Sequence, residues 1–413
     1  MSARFGFTPV VPPFAGAGQV EEVVAGYMAT LEAAGGERWD LAHYDRPDQL
    51  CFLIATGGTE SVVLDLYVAR QESVADEPVV LIAHPGNNSL PAALEVLARL
   101  QQDGVRGRIV FLRSPDDATG LSALDSALHD AGVWRRLHTA RIGLIGDPSD
   151  WLVASMPEAM TVREVWGPEV VQVPLSELEN AIDTVPDEKA ADGVASLSGD
   201  ADAVAEPSAE ELTDVARVRV ALETLVERHE LDALTVRCFD LVLDRQTTGC
   251  FALSALTDAG VIAGCEGDLV STVGLLWTSL VTGEIPWMAN PAELDEGANT
   301  LKLAHCTVPR GLVDRYRLRS HFESGLGVGI QGDIPLGRVT LVRIGGSMMD
   351  ALWLAEGEIT ANGDAENLCR TQVDIALSRG HVSELLRAPL GNHIVLVRGH
   401  HADRLVEWWE TML

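Results

Sequence analysis

Short apolar runs alternate with amphipathic stretches through the first third of the chain. Residues 50–55 and 79–83 are continuous apolar runs of strand length, and each ends in a glycine-rich turn. An amphipathic stretch at 90–100 follows the second turn and leads into another apolar run at 108–112. Strand, turn, helix and strand in this order are typical of a parallel sheet with helices on its faces. The pattern predicts an N-terminal α/β domain over residues 1–138.

The same alternation returns in residues 139–230, which predicts a second α/β domain. Strands are expected at 140–146 and 169–174, followed by helices at 175–182 and 215–229. Between these two helices, residues 186–211 are rich in acidic and small side chains and contain no aromatic residue. Such a composition buries too little apolar surface to order itself, so we expect a flexible acidic insertion there.

Glycine-punctuated short strands dominate residues 231–413 and predict a β-rich C-terminal domain. The clearest of these strands is the apolar run at 339–344. The expected fold class is therefore α/β, with two Rossmann-like α/β domains followed by a β-rich domain.

Composition and charge disfavour several classes of binding partner and of protein. The net charge of −31 disfavours nucleic acids and anionic membranes, whose phosphates would be repelled. No apolar run reaches the length needed to cross a bilayer, and the N-terminus shows no secretory signal pattern. The six cysteines are scattered without a C-x-x-C pair, which disfavours a disulfide framework and a zinc ribbon. We expect a cytoplasmic enzyme.

The most informative polar cluster is the pair Glu266 and Asp268. Both lie between the apolar run 261–263 and an expected helix at 269–282. Asp268 is well placed to cap that helix, because aspartate is a favoured N-cap residue. The same position also suits carboxylates that gather around a cation at a strand end. These residues alone leave both interpretations open.

Seven separate segments, in one order along the chain, resemble the L-fucose isomerase-like proteins, in particular their shorter branch. The segments are TGGTE (56–60), NNSLPA (87–92), GDPSDW (146–151), CEGD (265–268), LAHCTVP (303–309), HFESG (321–325) and LGNH (390–393). The resemblance implies two Rossmann-like domains, a β-rich domain, a divalent metal, usually manganese, and assembly as a homo-oligomer. It also implies aldose–ketose isomerisation of a monosaccharide through an enediol.

Matched to the family motif, Asp268 and His393 take the places of metal ligands. Glu266 is the neighbouring acid, a candidate ligand or proton carrier, and we assign catalysis to Glu266 and Asp268. A carboxylate near a metal can remove and return a proton, while the metal polarises the carbonyl oxygen. Oxygen ligands with one imidazole suit manganese or magnesium better than zinc.

One departure concerns the segment before this motif. The family places a metal-binding, proton-shuttling glutamate there, whereas residues 244–251 of this chain contain none. Asp244, Cys250 and Glu266 are the alternatives for its role.

Four further residues are candidates for contact with a small-molecule sugar: His305, His321, Glu323 and Trp151. Trp151 could stack on a sugar ring or pack in the interior. His305 could equally be a hydrogen-bonded core residue, and His321 and Glu323 precede a glycine-rich turn. We therefore expect a metal-dependent sugar isomerase. The alternatives are a sugar-binding or regulatory protein on the same scaffold, or another metal-dependent enzyme acting on a sugar or sugar acid.

Overall fold

The structure is a computed structural model that describes residues 5–12 and 17–413. The chain divides into two compact units, one containing the described residues up to Arg136 together with Val406–Leu413, the other containing Leu137–Leu405. The division into domains at 1–138, 139–230 and 231–413 stays a prediction. No helix in the described part of the chain is long and apolar enough to cross a membrane.

The first unit is built on a five-stranded parallel sheet with the order β2-β1-β3-β4-β5. Strands β3 and β4 are buried along their whole length, because the sheet has an apolar core on each face. Burial on both faces explains why these strands are continuous apolar runs and show no alternation. The elements are β1 (Phe5–Val10), α1 (Ala17–Ala33), β2 (Gly36–Arg38), β3 (Gln49–Ile54), α2 (Glu60–Gln71), β4 (Val79–Ala83), α3 (Ser89–Gln102), β5 (Gly107–Phe111) and α4 (Ala118–Thr139).

The second unit begins with parallel strands and continues into antiparallel ones. Its first elements are β6 (Arg141–Ile145), α5 (Ala159–Trp166), β7 (Glu169–Val173), α6 (Leu175–Asp183), α7 (Asp187–Ser198), β8 (Ala203–Val204), α8 (Ala209–His229), β9 (Ala233–Val236), α9 (Cys238–Arg245), α10 (Cys250–Asp258), β10 (Ile262–Cys265) and α11 (Leu269–Thr282). Strands β10, β9, β6 and β7 form a four-stranded parallel sheet in that order.

The remaining strands of this unit form a closed barrel and a small sheet. They are β11 (Trp287–Asp295), β12 (Thr300–His305), β13 (Arg315–Arg319), β14 (Gly329–Asp333), β15 (Gly337–Gly345), β16 (Ala351–Asn362), β17 (Thr371–Arg379) and β18 (Ile394–Arg398), with helix α12 (Ser383–Arg387). The last helix is α13 (Ala402–Met412), whose residues from Val406 onward belong to the first unit. The barrel has the order β11-β12-β17-β16-β15-β18, and its neighbouring strands are antiparallel. Strands β14, β13 and β8 form the small sheet.

The acidic segment 186–211 is ordered, so the prediction of a flexible insertion is wrong. Residues 187–198 form α7, which buries Ala190, Gly193 and Leu197. Strand β8 pairs with β13, and α8 starts at a capping box formed by Ser208 and Glu211. Small apolar side chains at helical spacing let this acidic segment dock against its neighbours without any aromatic residue.

The α/β fold class and a β-rich region are confirmed: two parallel sheets and a six-stranded barrel are present in the described chain. Whether the two parallel-sheet regions are Rossmann-like domains stays a prediction.

Candidate active site

Glu266 lies in a tight turn between the end of β10 and the start of α11. The backbone φ angles of Glu266 and Gly267 are 64° and 72°, both in the left-handed region. Only glycine fits at 267, because a Cβ atom there would lie 2.7 Å from Cα of Pro148. A left-handed conformation at a residue other than glycine costs about 1–2 kcal/mol and is often found at functional sites. The turn directs the buried Glu266 side chain into a pocket.

His305 and His393 lie at the ends of the two barrel strands that flank β11. His305 is the last residue of β12, and His393 directly precedes β18. Both strands pair with β11, where Asn290 is opposite Ala304 and Ala289 is opposite Ile394. The two imidazole rings are therefore brought together, with centroids 5.6 Å apart. The barrel register alone places them side by side.

Glu266, His305 and His393 form a buried group that could hold a metal ion, with one ligand atom from each residue within 4.8 Å of the others. Nδ1 of His305 is hydrogen-bonded to Oγ1 of Thr307 at 2.7 Å, which leaves Nε2 for a ligand. Nε2 of His393 is buried and has no hydrogen-bond partner among the described residues. Its distance to Oε1 of Glu266, 3.6 Å, is too long for a hydrogen bond. A buried, unpartnered nitrogen beside a carboxylate fits a cation.

Asp268 is completely buried and lies on the Nδ1 side of His393. Its Oδ1 accepts the backbone N–H of Ser271 at 2.8 Å, so Asp268 is the N-cap of α11. Its Oδ2 accepts from Nδ1 of His393 at 2.8 Å and from Oγ of Ser271 at 2.7 Å. The Arg343 guanidinium lies 3.5 Å from the same oxygen. Asp268 thus caps the helix and also orients His393, while its assignment as a direct ligand stays a prediction.

The charges of the group follow from these contacts. Burial opposes the charged form of both carboxyl groups. The nearby His393 imidazole outweighs burial at Glu266 and holds its pKa below the usual range, and the hydrogen bond from His393 lowers the pKa of Asp268 to about 2. Burial also opposes protonation of His393, yet Asp268 and Glu266 together raise its pKa to about 9. Burial and the nearby His393 lower the pKa of His305 to about 3, so this ring is neutral.

A pocket lies beside this group. Its lining includes three of the predicted sugar-contacting residues, His305, His321 and Glu323, together with Glu266. Burial lowers the pKa of His321 to about 4, so it too is neutral. Partial burial and repulsion from Glu266 raise the pKa of the Glu323 carboxyl group.

Trp151 is half exposed and reaches the site through its indole N–H, which donates to Oε2 of Glu266 at 2.6 Å. The ring packs edge-on against Phe239 with centroids 4.9 Å apart, and Phe239 packs edge-on against His321 at 5.6 Å. In this structure Trp151 therefore holds the Glu266 carboxylate, and its predicted contact with sugar stays a prediction.

The segment that lacks the family's glutamate borders the same pocket. Thr248, Gly249 and Cys250 line it, whereas Asp244 is exposed and is not part of the lining. Burial raises the pKa of the Cys250 thiol well above its ordinary value, which makes Cys250 a poor proton acceptor. Of the three alternatives for the missing role, Glu266 is the one with a carboxylate in the pocket.

Comparison with known proteins supports the predicted enzyme class. No protein-family model matches the chain. Sulfoquinovose isomerases from Priestia aryabhattai and Priestia megaterium are each 22% identical to it over 315 residues, covering 71% of this chain and 68% of theirs. A sulfoquinovose isomerase from Alkalicoccus urumqiensis is 24% identical over 245 residues, covering 56% and 54%.

The prediction of an enzyme is confirmed by these relatives. They indicate a sugar isomerase, which is an intramolecular oxidoreductase. They do not support the narrower assignment to the L-fucose isomerase-like proteins, which stays a prediction, as do manganese, the cytoplasmic location and the homo-oligomer.

Two residues that contact the site, Arg343 and Phe239, were not identified from the sequence. Arg343 is buried in β15, where its guanidinium also donates to Ser155 Oγ and Ser271 Oγ, at 2.5 Å each. The signal was present: an arginine in the middle of an apolar strand must find polar partners inside the protein. Phe239 gave no comparable signal, since an aromatic residue after an apolar run is common in any core.

Proposed function

We propose that the chain isomerises an aldose to a ketose, through an enediol, in the pocket beside Glu266, His305 and His393. The observation that carries this proposal is the buried group of one carboxylate and two imidazoles at the edge of a pocket lined by polar side chains. The sulfoquinovose isomerase relatives support the same reaction type. The substrate class we propose is a free monosaccharide, with sulfoquinovose among the sugars to test.

Glu266, His305 and His393 would hold a divalent cation. When bound, such a cation polarises the sugar's carbonyl and hydroxyl oxygens and stabilises negative charge on the enediol. Two imidazoles and one carboxylate form a more nitrogen-rich donor set than the one expected from the sequence, and iron(II), cobalt and zinc suit it as well as manganese. Manganese remains the first cation to test.

The surrounding residues would fix the protonation and orientation of the ligands. Asp268 holds the Nδ1–H of His393, so that a cation would take the place of the proton on Nε2. Carboxylates behind metal-binding histidines commonly act in this way. The indole of Trp151 holds one oxygen of Glu266 and leaves Oε1 facing His393.

Glu323 would carry the proton between C2 and C1. The pocket lining contains two carboxylates, Glu266 and Glu323. The lowered pKa of Glu266 suits a ligand, whereas the raised pKa of Glu323 brings it closer to the range in which a carboxylate removes and returns a proton. The neutral His305 and His321 are weaker bases than Glu323 in this structure.

The test is solvent exchange at C2 together with aldose–ketose conversion. The enzyme, loaded with manganese, is incubated in deuterated water with a panel of pentoses, hexoses, deoxyhexoses and sulfoquinovose. We expect one class of sugar to gain deuterium at C2 and to form its ketose. Binding without exchange would indicate a sugar-binding protein, and exchange without ketose formation would indicate a different enzyme; either result contradicts the proposal.

Two matched variants assign the proton carrier. Glu323→Gln should lower the exchange rate by about 10²–10⁴-fold, the usual contribution of a general base, while manganese binding is retained. Glu95→Gln, at an exposed position of α3, controls for the loss of one carboxylate and should leave exchange unchanged. Full exchange in Glu323→Gln would show that another group carries the proton.

A further inference from the structure

Five of the six cysteines line the candidate pocket, and two of them are in direct contact. The five are Cys238, Cys250, Cys265, Cys306 and Cys369, whereas Cys51 lies in β3 of the first unit. All six are free thiols. The Sγ atoms of Cys238 and Cys265 are 3.1 Å apart. Neither the proposed isomerisation nor the candidate metal group uses this pair.

The sheet explains why these two thiols meet. Strands β9 and β10 are parallel neighbours, with Cys265 opposite Val236 in the register. Cys265 ends β10, and Cys238 begins α9 two residues after the end of β9. Both side chains therefore gather at the carboxyl edge of the sheet. They are nearly inaccessible from the outer surface but border the pocket, through which a small oxidant could reach them.

We propose that Cys238 and Cys265 are an oxidisable dithiol, a modification site that a peroxide converts into a disulfide and that thereby controls the position of Glu266. A disulfide bond is about 2.05 Å long, so the two sulfur atoms must approach by about 1 Å from their present contact.

The reaction balances with hydrogen peroxide as the oxidant. We assign the first attack to the sulfur of Cys238, the first residue of α9. The Cys238 thiolate takes one OH group of the peroxide as the O–O bond breaks, and a sulfenic acid forms. The departing hydroxide combines with the proton that the thiol released, which gives one water. The Cys265 sulfur then displaces the sulfenic hydroxyl as a second water. Two thiols lose two electrons in total, and one peroxide is reduced to two waters.

The new bond would act on the residue that follows Cys265. Glu266 cannot simply follow a displaced Cys265, because its turn is held on three sides. Its carbonyl accepts Ser149 N–H at 2.8 Å, Gly267 N–H donates to Val236 O at 3.0 Å, and Gly267 is packed against Pro148. The shift must therefore tilt the Glu266 side chain. Because a misplacement of about 1 Å in an active site can lower the rate about 10²-fold, we expect a loss of that size.

The test uses the full-length reduced protein, treated with hydrogen peroxide and then alkylated. We expect the mass before alkylation to fall by about 2 Da, the two hydrogens lost, and peptide mapping to find Cys238 linked to Cys265. Sugar turnover should fall about 10²-fold and return with dithiothreitol. The turnover result rests on the proposed isomerase function, whereas the mass and mapping results do not, so the two failures can be told apart.

Two variants sharpen the result, each compared with its own reduced form. Cys51→Ala keeps the pair and should form the link as the unmodified chain does. Cys238→Ala should form no link at Cys265 and show no dithiothreitol-reversible loss; if it does not fold, mapping in the unmodified chain still decides. Free Cys238 and Cys265 after peroxide, or a link between Cys306 and Cys369 instead, overturns the site. A link that leaves turnover unchanged overturns the control of Glu266.

Discussion

Replacing Asp268 by asparagine separates the three roles that its position suggests: helix cap, orienting partner of His393 and direct metal ligand. Asparagine caps helices as well as aspartate does, so the contact with the Ser271 N–H survives. The negative charge facing His393 and Arg343 is lost. The substitution therefore leaves the first role intact and removes the electrostatic part of the second.

The expected loss of stability follows from the buried charge. The pKa of Asp268 is lowered from 3.8 to about 2 because His393, Arg343 and Ser271 together outweigh burial. At about 1.4 kcal/mol per pKa unit, this lowering corresponds to about 2 kcal/mol. Removing one partner of a buried pair costs about 3–5 kcal/mol. We expect Asp268→Asn to lose about 3 kcal/mol, or about 6–12 °C in Tm.

Acid should remove the stabilisation that the Asp268 carboxylate provides. Because the folded pKa is depressed, the carboxylate's contribution is fully present above about pH 4 and is lost as the pH falls toward 2. The difference in unfolding free energy between the unmodified chain and Asp268→Asn should therefore shrink over that window. Urea unfolding at several pH values measures it. Asp268→Ala also removes the cap and should lose about 1 kcal/mol more than Asp268→Asn.

Cation affinity decides among the three roles. Titration calorimetry with manganese should show a loss of about 10–100-fold in Asp268→Asn, as for other carboxylates that orient metal-binding histidines. An affinity within about threefold of the unmodified chain would show that Asp268 only caps the helix. A loss beyond about 10³-fold would show a direct ligand. Either outcome refutes the orienting role derived from the structure.

Three further perturbations test other parts of the molecule. Trp151→Phe removes the N–H donor to Glu266 but keeps an aromatic ring. Since Trp151 is half exposed, we expect the lost hydrogen bond to cost about 1 kcal/mol of transition-state stabilisation, or about a fivefold lower kcat/KM. An unchanged kcat/KM would show that Glu266 is held in place without Trp151. Because the pKa of Glu323 is raised, kcat/KM should begin to fall on acidification at a pH above 4.5, the ordinary pKa of glutamate. In Glu323→Gln this acidic decrease of kcat/KM should be absent. In the first unit, Arg70→Met removes the guanidinium that pairs with both oxygens of the buried Glu77 and leaves only Arg135, 3.1 Å from Oε1. We expect a cost of about 3 kcal/mol in urea unfolding, and a loss below about 1 kcal/mol would contradict the importance of the Arg70–Glu77 pair.

Where apolar runs have clear polar boundaries, the sequence predicted the elements closely. The strand at 79–83 and the helix at 269–282 have the predicted bounds. The apolar run at 233–239 is typical of a single strand, but the strand ends at Val236 and a helix starts at Cys238. A short apolar run carries no period that distinguishes a strand from a helix, so the change between them was invisible.

The candidate site was predictable in its residue types and not in its arrangement. The position of Glu266 and Asp268 between a strand and a helix marked them as a pair from the start. Their different roles depend on His393 and Arg343, which lie 125 and 75 residues from Asp268 in the chain. His305 lines the pocket, and its predicted contact with the sugar stays a prediction. It also belongs to the candidate metal group, because the pairing of β11 with both β12 and β18 brings the two histidines together.

The place of β18 in the barrel ties assembly of the site to the last steps of folding. This strand closes the ring by pairing with β11 on one side and β15 on the other, and His393 directly precedes it. Glu266 and His305 are synthesised long before their partner, so a nascent chain has no complete cation site until its final barrel strand has emerged. Cation uptake during synthesis would then report ring closure, and a chain truncated before β18 should neither close the barrel nor capture the ion.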